Sequence, residues 1–190
     1  MSDHGGDGRR RCRILQHIGR LSDLRAVRSP RQLTSSRLKL MADLFKADGA
    51  RVLADLNALR AIGAYKSGVH RPTFSEPHIH ALNWLAQKLP DARLTPEIDG
   101  IGNVFGVSTK AGPKLLAGSH LESQNFAGWL DGPLGVIYAL EAARVINHDP
   151  GIKGAVEVVC WCDEEGHFGH FLGSRSFVGD VTEQEIDAAR

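Results

Sequence analysis

From Met41 the apolar residues Leu44, Phe45, Leu53, Leu56, Leu59 and Ile62 recur near helical spacing, which predicts one or two helices closed by Gly63. A second helical pattern follows in "SEPHIHALNWLAQKLP". There Ser75 holds a cap position, Glu76 and Pro77 occupy the first turn, and Ile79, Leu82, Trp84, Leu85 and Leu89 form the face expected to be buried, with Pro90 marking the end. Three short apolar runs then read as strands: "GNVFGVS" at 102–108, "KLLAGSH" at 114–120 and "AVEVVCWC" at 155–162. Between the second and third lies "DGPLGVIYALEAARVI", a helix with Asp131 at its cap position and Pro133 in its first turn. Strand, helix, strand makes a βαβ unit, and the continuously apolar third strand suits a sheet covered on both faces. The expected fold is α/β.

Charge changes the picture at the N-terminus. Residues 1–39 carry nine Arg and one Lys against three Asp and show little apolar periodicity, so the near-neutral total hides a basic segment. Residues 1–40 are therefore expected to be a basic extension without a packed core, probed by three competing explanations: a flexible extension, a stretch upstream of a product that starts at Met41, or an organelle transit peptide. The segment has no recognisable nucleic-acid reading motif, which favours a solvated tail and no nucleic-acid partner. At 190 residues the chain has the length for one ordinary domain with a sizeable core, and 42% hydrophobic with 24% charged residues is globular composition. Cys160 and Cys162, two apart on one strand, cannot pair with each other without distorting it, which agrees with a reducing cytoplasm. No apolar run approaches the roughly 18–20 residues of a membrane span, so the expectation is a soluble cytoplasmic protein with no membrane association.

Ligands of open α/β sheets gather outside the carboxyl ends of parallel strands, and two polar clusters fall at such ends. The first is "GSHLESQNFAGWLDGPLG", with His120, Glu122 and Asp131; the second is "DEEGHFGH", with Asp163, Glu164 and Glu165. An imidazole and carboxylates from separate loops suit a borderline divalent metal such as Zn²⁺. One carboxylate can bridge two metals roughly 3.5–4 Å apart, and adjacent glutamates diverge after a strand, so that one can bind metal while the other handles a proton. Each motif also has a plainer reading: His-x-Glu as a surface pair, Asp131 as a helix cap, and the acidic triplet as a solvated turn. His78 and His80, two apart on a helix, are expected at the surface, and His170 to be exposed. Neither Ser119 nor Ser174 lies in a nucleophile elbow, and no phosphate-binding Gly-x-x-x-x-Gly-Lys pattern occurs.

In order and register, "GSHLES", "GWLDGPLGV", "DEEG" and "FLGSR", with "LRAIGAYKSGVHRPTFS" and "DGIGNVFG" upstream, resemble the dinuclear zinc amidohydrolases of the hydantoinase/carbamoylase type. That group includes N-carbamoyl-L-amino-acid hydrolases, allantoate amidohydrolases and β-ureidopropionases, and is related to aminoacylases and carboxypeptidase G. The resemblance covers residues 41–190 and implies the N-terminal part of a three-layer zinc-peptidase-like catalytic domain with a helix-covered mixed sheet. It further implies two divalent metal ions, Zn²⁺ first, with Mn²⁺, Co²⁺ or Ni²⁺ as alternatives. His120 would bind one ion, Asp131 would bridge both, Glu165 would bind the second, and Glu164 would be the general base. The implied substrate is a small linear amide or ureido compound, such as an N-carbamoyl amino acid or an allantoate-like molecule.

Two departures from the family pattern bear on this. Glu122 replaces the usual Asp that orients the ligand histidine, and one extra methylene shifts that contact. Family members are also about twice this length, with a dimerisation or lid domain and two further histidine ligands downstream. Read this way the chain is a truncated and impaired copy without the domain that forms the family's homodimer; the alternative is a non-catalytic fragment or interaction module derived from the family.

Overall fold

The computed structural model describes residues 46–189. The expectations for residues 1–40, and for Leu44 and Phe45, lie outside them. Helix α1 (Gly49–Ala61) starts where the Asp48 carboxylate accepts the Arg51 N–H at 3.1 Å, and it ends at Ile62, before Gly63 with φ 74°. Leu56 and Leu59 are buried as expected, while Leu53 is 60% exposed. A small hairpin, β1 (Ala64–Tyr65) with β2 (Gly68–Val69), leads to α2 (Glu76–Lys88), whose cap is Ser75 as predicted.

The buried stripe of α2 is His78, Ala81, Leu82 and Leu85, continued by Leu89. Those positions keep helical spacing; Ile79 lies one residue off it and is 43% exposed. His78 therefore occupies a core position, which corrects the expectation that it lies at the surface, whereas His80 is exposed. The chain does not stop at Pro90 but continues as a 3₁₀ turn, Leu89–Ala92, in which a proline near the start has no needed N–H to lose.

The sheet runs in the order β3-β4-β6-β5, with β3 (Thr95–Ile98), β4 (Val104–Val107), β5 (Lys114–His120) and β6 (Ala155–Trp161). β5 and β6 are parallel and joined by helix α3 (Pro133–His148), which is the predicted βαβ unit; β4 pairs antiparallel with β6, and β3 with β4. β3 had no apolar signature, because all four of its residues are exposed at an edge. Val104, Val158 and Cys160 face a core shared with Leu56, Leu59, Leu82, Leu85, Val136, Ile137 and Leu140. The opposite face presents Phe105 and Trp161 to Phe177 of α4 (Leu172–Val178), with ring centroids 5.2–5.9 Å apart. The sheet is thus covered on both faces where β4 meets β6. A short α5 (Glu183–Ala188), closed by a Thr182/Glu185 capping box, completes the described chain.

Buried polar side chains fix how these elements meet. Arg144 of α3 donates to Asp55 of α1 at 2.6 Å. Arg51 grips Glu141 through two 2.8 Å bonds, and the Asp48 N–H adds a third at 2.7 Å. Asn147 bonds both the N–H and the carbonyl of Val156, bracing the end of α3 against the start of β6. The guanidinium of Arg71, fully buried, donates to the carbonyls of Leu59 and Ile62 at the end of α1 and to Leu121 just after β5. Burial lowers its pKa to about 10, which leaves it cationic at neutral pH. No helix among the described residues is long and apolar enough to cross a membrane.

Candidate functional site

The register of β5 on β6 pairs His120 with Trp161, so both strands end side by side and their following loops share one crevice. His120 is the last residue of β5 and 3% exposed. Its Nδ1 lies 3.1 Å from the carbonyl oxygen of Glu122. A carbonyl can only accept, so Nδ1 carries the proton and, in the neutral ring, Nε2 carries the lone pair. That Nε2 faces Glu164 Oε2 at 3.3 Å and Asp131 Oδ1 at 3.9 Å.

Glu122, with no exposed surface, lies behind His120. Its Oε1 accepts the Glu164 N–H at 2.5 Å and stands 3.7 Å from His120 Nδ1, while Oε2 stands 3.5 Å from Nε2 of His78. The expected contact with His120 is therefore made chiefly by the backbone carbonyl of Glu122, and its longer side chain holds the Glu164 loop instead. Burial raises the Glu122 pKa; the nearby His120 and the N–H donors of the loop oppose that shift. Burial, with the positive field of Arg71, lowers the His78 pKa to about 4, so its imidazole is neutral.

The second loop is built around Asp163. This residue adopts φ 57° and is fully buried, and its carboxylate accepts the N–H groups of His167, Phe168 and Gly169 at 2.7–3.0 Å. Asp163 thereby folds the turn that aims Glu164 at His120. Asn103 anchors the same turn from β4's side: Oδ1 accepts the Cys162 N–H at 2.8 Å, and Nδ2 donates to Asp99 and to the Gly173 carbonyl. Asn103 was not singled out from the sequence, although a Gly-Asn pair before a strand is a turn signal that could have drawn attention to it.

The structure brings His120, Glu122, Asp131 and Glu164 together. Asp131 is not the cap of α3: that position is Gly132, and the Asp131 side chain is 85% exposed. Glu165 is not drawn to His120; its carboxylate and its carbonyl both accept from the Gln124 amide, at 3.1 and 2.8 Å. His167 turns to Thr73, 3.1 Å away, and His170 is exposed.

An imidazole lone pair facing two carboxylate oxygens is unfavourable unless a proton or a cation lies among them. In kind, the donors of His120, Asp131 and Glu164 fit a borderline divalent ion. In number they fall short, because among the described residues no three His, Cys, Asp or Glu side chains group closely enough to hold an ion by themselves.

Residues 103–190 match the model of peptidase family M28. The chain is 32% identical over 151 residues to the N-carbamoyl-L-amino-acid amidohydrolase of Paenarthrobacter aurescens, covering 76% of this chain and 37% of that protein. It is 35% identical over 135 residues to the allantoate deiminase of Arabidopsis thaliana, covering 67% and 26%. Among solved structures, an amidase of the hydantoinase/carbamoylase family from Burkholderia phymatum superposes with a TM-score of 0.72 at 49% identity, over 75% of this chain and 35% of that one. The chain thus spans about a third of the length of the relatives it matches.

Proposed function

On the premise that this chain belongs with the N-terminal part of the hydantoinase/carbamoylase amidases, we propose that residues 46–189 carry the base-bearing part of a metal-dependent site for hydrolysing linear amide or ureido C–N bonds. The observation that supports this reading is the His120 lone pair set opposite the Glu164 and Asp131 carboxylates. His120 Nε2 and Asp131 would hold a divalent ion, Zn²⁺ first, and Glu165 would join them after exchanging its bond with Gln124. When bound, such an ion polarises a carbonyl and acidifies water. Glu164 acts as the general base, taking a proton on Oε2 and returning it to the leaving nitrogen. Glu122 fixes the backbone of Glu164 and stands behind His120. N-carbamoyl amino acids and allantoate-like compounds are the proposed substrates, because the matched relatives are named for acting on them.

Two measurements test this. Zinc titration of the purified 190-residue chain against a chelator should show weak binding that His120→Ala abolishes. A chimaera in which residues 46–189 replace the matching part of a catalytically active relative should hydrolyse N-carbamoyl amino acids, with kcat falling on the order of 10²–10⁴-fold in Glu164→Gln. Zinc uptake indifferent to His120→Ala, or a Glu164→Gln chimaera as fast as its parent, would refute the assignment.

A further inference from the structure

His78 and Glu122 come from different parts of the chain, and neither touches solvent. His78 is the third residue of α2 and folds back on the helix start, where its Nδ1 accepts the Phe74 N–H at 3.0 Å. That nitrogen therefore carries no proton, and in the neutral ring the hydrogen sits on Nε2. Nε2 faces Oε2 of Glu122 from 3.5 Å, and neither atom has a hydrogen-bond partner elsewhere among the described residues. An unpaired N–H and an unpaired carboxylate oxygen are both unfavourable in a dry interior, so each is the natural partner of the other. The other oxygen of Glu122 is already committed to the Glu164 N–H and to the vicinity of His120 Nδ1.

We propose that His78 is a positioning residue of this site: its Nε2–H holds the second oxygen of Glu122 and thereby fixes the carboxylate that carries the loop of Glu164 beside His120. The inference rests on the reading of His120 as a metal ligand, and it extends the support of that ligand to a helix remote in sequence. Without the His78 N–H, the Glu122 carboxylate is free to turn about its terminal bond. Oε1 then has no single position from which to hold the Glu164 N–H, and the loop carrying the proposed base loses its reference point. The same logic makes the hydrogen-bonded partners behind metal-bound histidines costly to remove.

The test uses the whole 190-residue chain with Leu or Gln at position 78. Leu keeps bulk without a donor; Gln keeps an N–H within reach of Oε2. In the metal-free wild type, imidazole ¹H–¹⁵N spectra should show His78 as the Nε2–H tautomer and His120 as the Nδ1–H tautomer. In His78→Leu the Glu164 amide, held by Glu122, should exchange with deuterium about tenfold faster and zinc affinity should fall about tenfold, with His78→Gln restoring both to within about threefold. A packing role alone would lower the melting temperature of both variants and leave the Glu164 amide no less protected than its neighbours. Should His78→Leu fail to fold, His78→Asn, whose amide is too short to reach Oε2, takes its place. Finding His78 protonated on Nδ1, or finding the donor-free variant with wild-type Glu164 amide exchange and wild-type zinc affinity, overturns the proposal. If the wild type takes up no zinc, the metal reading fails, while the His78 tautomer and the Glu164 amide still decide the positioning claim.

Discussion

Gly132→Ala places a methyl group against the proposed ligand, and the structure gives the size of the effect. Gly132 caps α3 with φ 80° and ψ −67°, a conformation that L residues rarely adopt. A Cβ there would stand 2.6 Å from His120 Cε1, 2.6 Å from the His120 carbonyl oxygen and 2.7 Å from Nδ1. The carbonyl belongs to the end of β5 and cannot retreat without opening the strand, so the turn at residue 132 and the ring must both move. Reaching the ~3.5 Å of an ordinary carbon contact requires about 0.9 Å of displacement. Metal–ligand distances tolerate only about 0.2 Å, so zinc affinity should drop by at least about tenfold. Backbone strain of about 1–3 kcal/mol and overpacking of about 1–3 kcal/mol together predict a Tm lower by roughly 5–20 °C. Thermal melts in chelator and a zinc competition titration read the two effects separately. Gly128→Ala is the control, since a Cβ there meets nothing within 4 Å. A Gly132→Ala protein with both values matching wild type would show that the packing of Gly132 under His120 has been misread.

Three further outcomes follow from the interior. Arg144→Met removes the 2.6 Å partner of Asp55, leaving Lys88 at 3.8 Å as its nearest cation among the described residues, and should cost about 2–4 kcal/mol in chemical denaturation; Asp55→Asn in the same background should recover part of that loss. For Glu141, burial pushes the carboxyl up but the Arg51 guanidinium and the Asp48 N–H outweigh it, and its pKa falls below the ordinary 4.5. A depressed folded-state value stabilises above the unfolded value and loses that contribution as pH falls through the folded one, so the Tm gap between wild type and Glu141→Gln should narrow on going from pH 7 to pH 3; a constant gap contradicts this. Asn103→Ala strips partners from the Cys162 N–H and the Gly173 carbonyl, predicting a loss of about 2–4 kcal/mol and faster amide exchange across residues 162–173.

Much of the sheet was legible because its strands carry apolar runs that few other structures explain: 114–120 and 155–161 emerged nearly to the residue. Their carboxyl ends then pointed to the candidate site, since the rule that ligands gather there needs only the βαβ pattern. Residues 95–98 were invisible for the same physical reason, an exposed edge strand held by backbone bonds and lacking an apolar code. His78 was misread because its partner is a carboxylate distant in sequence, and helical phase alone assigned its position to Ile79. Asp131 shows the converse error. An acidic residue two before a proline reads as a cap, but with glycine between them the backbone turned one residue later and left the carboxylate at the crevice. Pairwise spacing identifies which loops meet; it carries no information on which of Glu164 or Glu165 turns inward.

Arg71 gives the site loop a mechanical history of its own. One guanidinium collects carbonyls from the last turn of α1 and from Leu121, and the Arg71 backbone exchanges bonds with Ser123 on the same loop. A cation so enclosed cannot surrender one set of acceptors while keeping the other without leaving charge unsolvated. Opening of the His120 loop and fraying of the first helix should therefore be a single cooperative event with one free energy, so that amides at Leu59–Ile62 and at Leu121–Ser123 exchange with deuterium together.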